Sequence, residues 1–338
     1  MNKLISVIIP CYNVENLIDR CLDSIAKQTI GIDILEIILI DDASTDGTWS
    51  KIEAFEKKHS ESVLAVHCDE NGRQGTARNI GMQYASAEYV TFIDSDDWIQ
   101  PDYLERLYSP MDEQDYDFTM CMHVRDDGTQ QIIQTGDIHC QRFLIDNEEK
   151  RKAFLLCMSV GSTCWGKLYK RSFLLDNNIF FVERLAYEDH YFMLLLYMYA
   201  THFCILDYVG YHYFVNTSST VLALNSSHHE DVLMVDEMSW DECESRGFLD
   251  LYRDELDYYF MQVGFLGPLR NLVTRFEEPP YEFYQNLREN LIRRSPLFLR
   301  NKYIEEYMTD INKELLKMAG VPISENEFAT LFSSLKKG

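Results

Sequence analysis

Tyr89-Val-Thr-Phe-Ile-Asp94-Ser-Asp-Asp-Trp98 is the stretch whose reading decides the fold. Residues 89–93 are apolar or β-branched, as a buried strand requires. The strand empties into three carboxylates, Asp94, Asp96 and Asp97, ahead of a helix expected to begin near Pro101. Acids crowded in this way repel one another and cannot be buried without partners. A positive group is therefore expected among them. A hard divalent cation with oxygen ligands suits the spacing, and such ions commonly carry phosphate-bearing substrates.

Upstream, the pattern alternates between strand and helix. Residues 4–9 read as a strand, and Val14, Leu17, Ile18, Cys21, Leu22 and Ile25 recur at helical spacing, which predicts a helix over 14–28. Leu35 to Ile40 is nearly all apolar, as in a strand covered on both faces. It ends in the turn sequence Asp41-Asp42-Ala-Ser-Thr-Asp-Gly47, followed by a helix to about Lys58. A third strand is predicted over 62–68, a helix over 75–85, and the fourth strand over 89–93. Strands alternating with helices make an α/β protein with a parallel sheet covered on both faces. Ligands of such sheets sit beyond the carboxyl ends of the strands. Here those ends carry Pro10-Cys-Tyr12-Asn13, Asp41-Asp42, Asn71-Gly-Arg73 and Asp94-Ser95-Asp96.

Length and charge narrow the function. A chain of 338 residues leaves room for one large and one smaller domain. With Lys+Arg 31 against Asp+Glu 55, the net charge of −24 argues against nucleic acid as a partner. The nine cysteines include no C-x-x-C pair, so reduced thiols in a cytoplasmic protein are expected rather than a zinc site or a disulfide framework. The apolar run at the start stops at Pro10 and reads as a first strand, not a signal peptide. The stretch 191–206 is broken by Thr201-His202 and is too short to span a bilayer.

The nucleotide fingerprints G-x-G-x-x-G and G-x-x-x-x-G-K-[ST] are absent. Asn71-Gly-Arg-Gln-Gly-Thr-Ala-Arg-Asn79-Ile-Gly81 offers another device. Gly72 and Gly75 permit close backbone approach, a helix N-terminus presents N–H groups, and Arg73 supplies a fork for phosphate. Arg78 is assigned either to the same role or to a solvated face.

Taken together, Ser-Val-Ile-Ile-Pro-Cys-Tyr-Asn, Ile-Leu-Ile-Asp-Asp-Ala-Ser-Thr-Asp-Gly-Thr, Asn-x-Gly-x-x-x-Ala-Arg-Asn-x-Gly and Phe-Ile-Asp-Ser-Asp-Asp-Trp resemble glycosyltransferase family 2, closely over residues 5–98 and loosely to about 220. The resemblance implies a GT-A fold, a Rossmann-like mostly parallel sheet flanked by helices, over 1–225, with a nucleotide-sugar half to about 100 and an acceptor half beyond. A helical region follows over 226–338. It also implies an inverting transfer from a nucleotide-sugar, most often a UDP-sugar, to a hydroxyl of a saccharide or lipid-linked saccharide, as in cell-surface polysaccharide synthesis. By position, Pro10 and Tyr12 line the base pocket, Asp42 accepts from the uracil, and Asp41 supports that turn. Arg73 approaches the base or phosphates, Asp94 faces the ribose, Ser95 belongs to the nucleotide-sugar site, and Asp96, the last acid of the D-x-D motif, holds Mn2+ or Mg2+. Asp97 is left as a cap for the next helix.

Transfer to a hydroxyl needs a proton acceptor. Tyr187-Glu188-Asp189-His190 resembles the family's Glu-Asp motif, which makes Asp189 the expected base and Glu188 the second candidate. Both acids would also suit a helix N-terminus for electrostatic reasons alone. Trp165 reads either as a platform for an acceptor sugar or as core, and Lys167 as the partner of an acid. The chain departs from the family where an arginine is expected: Phe214, Val215 and Asn216 stand there. His212 reads as an extra metal or phosphate contact or as a satisfied structural histidine.

Beyond about 228 the pattern is helical and carries no motif tied to chemistry. These helices are candidates for shaping the acceptor site or for self-association. Arg293, Arg294, Arg300 and Lys302 form a basic island that suits either a solvated face or peripheral contact with the inner face of a membrane. Two other readings compete: a polyprenyl phosphate as acceptor, or a phosphoacceptor signalling module, which also places acids after strands.

Overall fold

The computed structural model describes residues 3–128, 138–215, 222–278 and 280–336. The chain divides into two compact units, one of residues 1–146, 160–184 and 199–216, the other of 147–159, 185–198 and 217–338. The division does not follow a single cut near 225, because 147–159 and 185–198 group with the C-terminal helices.

The first unit is built on one sheet, of nine strands among the described residues. Strands β1 (Ile5–Cys11), β2 (Leu35–Asp41), β3 (Val63–His67) and β4 (Tyr89–Phe92) are parallel in the order β3-β2-β1-β4. Helices α1 (Ile18–Ala26), α2 (Thr48–Lys58) and α3 (Arg73–Tyr84) connect them. The apolar side chains of β1 and β2 are almost wholly buried, as two-face coverage demands. Gly81 is required where α3 crosses β1, because a β-carbon there would collide with the Ile8 side chain.

Helix α1 starts four residues later than periodicity predicts. Val14 N–H donates to Thr48 Oγ1 (2.8 Å) and Glu15 N–H to Asp46 Oδ2 (3.1 Å), while Thr45 N–H donates to Asn13 Oδ1 (2.8 Å). The loop after β1 is thus tied to the loop after β2, and the helix begins only when that stitching ends.

Past β4 the parallel rule lapses. The short β5 (Trp98–Ile99) and α4 (Tyr103–Glu113) lead to β6 (Phe118–Asp126), β7 (Cys140–Leu144), β8 (Lys167–Lys170) and β9 (His202–Phe214). Strand β8 joins β4 and β6 antiparallel, β6 joins β9 parallel with a bulge between Met120 and His123, and β9 pairs antiparallel with β5 and β7. This arrangement brings the far end of β9 back to the acid run: Trp98 pairs with His212 and Ile99 with Tyr211. Cys140 and Cys204 form a disulfide across β7 and β9, against the expectation that all cysteines are reduced. The register makes them diagonal neighbours although they lie 64 residues apart, so no local spacing announces the pair.

In the second unit, α5 (Glu148–Cys157) and α7 (Glu188–Tyr199) pack with α8 (Asp231–Ser245), α9 (Phe248–Phe260), α10 (Gly267–Arg275), α11 (Tyr281–Arg294), α12 (Tyr303–Tyr307), α13 (Asp310–Ala319) and α14 (Glu325–Leu335); α6 (Arg171–Asp176) belongs to the first unit. A π-helical turn, Met261–Leu266, joins α9 to α10, and Gly264 in it leaves room for the Asp236 carboxyl. In the basic island, Arg293 pairs with Glu237, Arg294 with Asp241 (2.6 Å) and Lys302 with Asp254 (3.3 Å), so much of its charge is already matched. Among the described residues no helix is long and apolar enough to cross a membrane.

Burial pushes the Asp236 carboxyl up to about 7, although Asn290 Nδ2 donates to it at 2.6 Å. A raised carboxyl favours folding only while it stays protonated. Its contribution is complete below the unfolded aspartate range near ~4 and is lost as pH rises toward about 7. Asp236→Asn keeps the acceptor for Asn290 and does not titrate. Its urea midpoint should therefore gain on wild type steadily from pH 4 to 7 and level off above; a gap independent of pH would contradict this.

Candidate active site

The carboxyl ends of the parallel strands carry three non-glycine residues in the left-handed region: Asn13 (φ 51°), Ala43 (φ 59°) and Arg73 (φ 66°). Such conformations cost free energy and persist only where surroundings enforce them, often at functional sites. The enforcing contacts are visible. Asn13 N–H donates to Ser44 Oγ (3.0 Å), and Asp42 N–H donates to Cys11 O (2.8 Å). Gly72 N–H donates to Asp42 Oδ1 (2.7 Å), and Asn71 Nδ2 donates to Asp42 O (3.1 Å).

Pro10 is buried in the β1–β2 ladder opposite Ile40, whereas Tyr12 just beyond it is 48% exposed and presents a ring to solvent. Asp41 is wholly buried: His67 Nδ1 lies 2.6 Å from its Oδ2, and Ser44 N–H reaches the same oxygen at 3.4 Å. Both contacts tie the acid to this rim of the sheet, and its Oδ1 has no hydrogen-bond partner among the described residues. His67, 26 residues downstream, escaped the sequence reading. Burial raises the Asp42 carboxyl, offset in part by the Gly72 and Arg73 backbone N–H groups. Arg73 itself, half-buried, is the first residue of α3.

Arg78 does not face solvent. It is 1% exposed, and its Nη2 donates to Asp94 Oδ1 at 2.8 Å. Its guanidinium carbon lies 5.2 Å from the centre of the Phe181 ring. This cation, carried to the site by α3, answers part of the repulsion among the acids. Ser95 is buried and hydrogen-bonds to the Cys11 thiol, so its side chain is turned inward.

Asp97 has a structural role different from the helix cap expected of it. Tyr211 O–H donates to its Oδ2 (2.7 Å) and Phe214 N–H to its Oδ1 (2.7 Å), while the Tyr211 oxygen accepts Asp94 N–H (3.1 Å). One phenol from β9 therefore clamps both ends of the Asp94–Asp97 turn. Burial, then Asp94 and Asp96, push the Asp97 carboxyl well up. Asp96 is half-buried, and its carbonyl accepts Arg20 Nη2 from α1 at 3.1 Å. The Arg20 guanidinium lies 3.5 Å over the Trp98 ring and 4.4 Å from the Phe214 ring. A cation at this loop is thus supplied from α1, where the stretch around 214 lacks one.

The remaining candidates are occupied. His212 is 3% exposed, with Nδ1 2.7 Å from Asp126 Oδ2, Nε2 2.8 Å from Gln100 Nε2, and Trp98 stacked on the ring at 4.9 Å. Both nitrogens are engaged, which favours the structural histidine over a metal or phosphate contact. Trp165 is buried and stacked on Tyr211 (4.4 Å) and Tyr213 (5.7 Å), and it reads as core rather than as a sugar platform. Lys167 is 1% exposed and donates to Thr163 O (2.7 Å), so its ammonium does not reach outward to an acceptor. Glu188, buried, and Asp189, half-buried, stand in the first turn of α7 and belong to the second unit.

Among the described residues no three His, Cys, Asp or Glu side chains gather into a ready metal cage. The chemistry of the acid run still fits a hard cation. Its carboxylates offer oxygen, and the neighbouring Cys11 and Cys21 are buried with their thiols pushed far up, so they remain protonated and poor ligands.

Comparison with known proteins agrees with this geometry. The family model described as Glycosyl transferase family 2 matches residues 6–176. EpsH of Bacillus subtilis is 29% identical over 297 residues, which are 87% of this chain and 84% of EpsH. A poly(ribitol-phosphate) beta-glucosyltransferase of Bacillus spizizenii is 32% identical over 62% of this chain, which spans only 32% of that protein. The crystal structure of S. aureus TarS 1–349 superposes with a TM-score of 0.67 at 21% identity, covering 95% of this chain and 93% of TarS 1–349. The same protein in complex with UDP-GlcNAc gives 0.54, at 91% and 94% coverage. These likenesses establish the GT-A fold.

The Arg78–Asp94 pair supplies a direct test. Arg78→Met keeps the bulk but leaves a half-buried carboxylate without its cation, and such losses cost about 3 kcal/mol. The expected result in urea unfolding is a loss of roughly that size at pH 7. A variant as stable as wild type at pH 7 would contradict the role given to the pair.

Proposed function

The chain belongs to glycosyltransferase family 2, and on that premise we propose that it moves a sugar from a UDP-sugar to a hydroxyl of a saccharide or glycolipid acceptor, with inversion and with Mn2+ or Mg2+, in the making of a cell-surface polysaccharide. The observation that carries the reading is the convergence of Tyr12, Asp42, Arg73, Asp94 and Asp96 on the carboxyl ends of neighbouring parallel strands. A relative that is a poly(ribitol-phosphate) beta-glucosyltransferase, and a structural relative solved with UDP-GlcNAc, support donor and acceptor classes of this kind. The phosphoacceptor reading has no place beside the family match.

In this account the exposed Tyr12 ring lies against the uracil, and Asp42, fixed by Gly72 and Arg73, reads its polar edge. Asp41 is the buried strut beneath. Arg73 adds positive charge at the N-terminus of α3, where N–H groups already favour phosphate oxygens. Asp94 is committed to Arg78 through one oxygen and offers the other to the ribose. Asp97 is committed to Tyr211 and Phe214. As the last acid of the D-x-D motif, Asp96 is the one assigned to the cation, which, when bound, would stabilise the diphosphate as it leaves. Asp189 takes the proton from the acceptor hydroxyl as the new bond forms, and Glu188 neighbours it in the same turn.

The test is a screen of UDP-, GDP- and CMP-sugars for release of the nucleotide with Mn2+ or Mg2+ and after chelation. UDP-sugars should turn over only with the ion. Asp96→Ala should lower the rate by about a hundredfold or more while the melting temperature stays close to wild type. Turnover that survives chelation, or a preference for GDP-sugars, would overturn the assignment.

A further inference from the structure

Tyr187, the residue before α7, has φ 65°. Helices that need only a stable start place Ser, Thr, Asp or Asn there in an extended conformation. Here a tyrosine is held in the left-handed region, which side chains avoid. The contacts that hold it all come from within the second unit. Ala186 N–H donates to Asp231 Oδ2 at 2.9 Å, at the first residue of α8. The Tyr187 oxygen lies 2.6 Å from His229 Nδ1, and Asn271 Nδ2 of α10 donates to it at 3.2 Å. His229 Nε2 lies 2.8 Å from Ala223 O.

A carbonyl only accepts, so Nε2 of His229 carries a hydrogen, and in the neutral imidazole Nδ1 is then the acceptor. Tyr187 O–H therefore donates to Nδ1, and the phenol oxygen accepts from Asn271. His229 is 1% exposed, and Phe276 packs edge-on against it at 5.6 Å. Burial pushes the Tyr187 hydroxyl up to about 12, which keeps it a donor at neutral pH. Tyr187 O accepts His190 N–H at 3.0 Å, so the strained residue also closes the turn that carries Glu188 and Asp189.

We propose that Tyr187, locked by His229, Asn271 and Asp231, is a positioning residue for Asp189, and that residues 223–231 with α10 serve the transfer reaction by aiming that base. The inference rests on the reading of Asp189 as the base. It gives part of the C-terminal helical region a role in turnover. The φ of Tyr187 sets the direction in which the first turn of α7 departs, and an error of about 1 Å in a base can lower a rate about a hundredfold. A polar network that orients a catalytic group from behind is the usual way such accuracy is kept.

The experiment measures UDP release from whichever of UDP-glucose and UDP-N-acetylglucosamine wild type turns over faster, together with the rise in melting temperature on adding UDP. Tyr187→Phe keeps the ring and removes the hydroxyl; His229→Leu removes the acceptor; His229→Asn returns an acceptor near the position of Nδ1. Tyr187→Phe and His229→Leu should each lower kcat about tenfold or more with donor KM and the UDP response unchanged, and His229→Asn should recover most of the rate. Tyr187→Phe combined with Asp189→Asn should be no slower than Asp189→Asn alone, because the first change acts through the second. Wild-type kcat in Tyr187→Phe and His229→Leu, or a double variant slowed by the product of the single effects, would overturn the proposal while leaving Asp189 as base. Wild-type kcat in Asp189→Asn would overturn the base assignment and this inference with it.

Discussion

Mutual repulsion among the acids at the strand ends is the constraint to which the rest of the first unit answers. Asp41, Asp42, Asp94, Asp96 and Asp97 all lie in or just beyond β2 and β4, and several are buried. A chain of net charge −24 has no general field to relieve them. Relief is local instead. Arg78 of α3 pairs with Asp94, Arg20 of α1 is laid over Trp98 beside Asp96, backbone N–H groups of the α3 start meet Asp42, and the Tyr211 hydroxyl ties Asp97 to the Asp94 backbone. The devices come from three elements, α1, α3 and β9, so the sheet and its helices must be assembled before the acids are tolerated.

The relief is also incomplete in a useful way. Asp42 and Asp97 keep raised carboxyls, and Asp41 Oδ1 has no hydrogen-bond partner among the described residues. The backbone is held in left-handed conformations at Asn13, Ala43 and Arg73 by hydrogen bonds that run between successive loops. Strain and unsatisfied charge gathered on one rim of a sheet amount to pre-organisation for a ligand that brings hydrogen-bond donors and a counter-charge.

What could be read from the sequence was what local pattern encodes. Strands β1 to β4 and the acids behind them follow from apolar runs ending in turn chemistry, and these carried both the parallel order and the candidate donor residues. Contacts between residues far apart in the chain were invisible. Tyr211 clamps Asp97 across 114 residues, and Arg20 meets Asp96 across 76, and nothing in either neighbourhood advertises the partner. Arg78 fell on both sides of the reading because a helical arginine looks the same whether it faces solvent or a carboxylate. Trp165, Lys167 and His212 were plausible ligands by residue type, and burial decided them. The start of α1 was misplaced because periodicity does not register loop-to-loop hydrogen bonds that compete with a helix. The strands past β4, paired mostly antiparallel, lack the alternation with helices that made the first four legible.

The central claim is that the strand-end acids seat a nucleoside diphosphate through a divalent cation. The most direct measurement is the melting temperature with UDP alone, with Mn2+ alone and with both. The account predicts a marked rise with both and little with either alone, because the diphosphate and the acids repel until a cation joins them. An equal rise with UDP alone would contradict it.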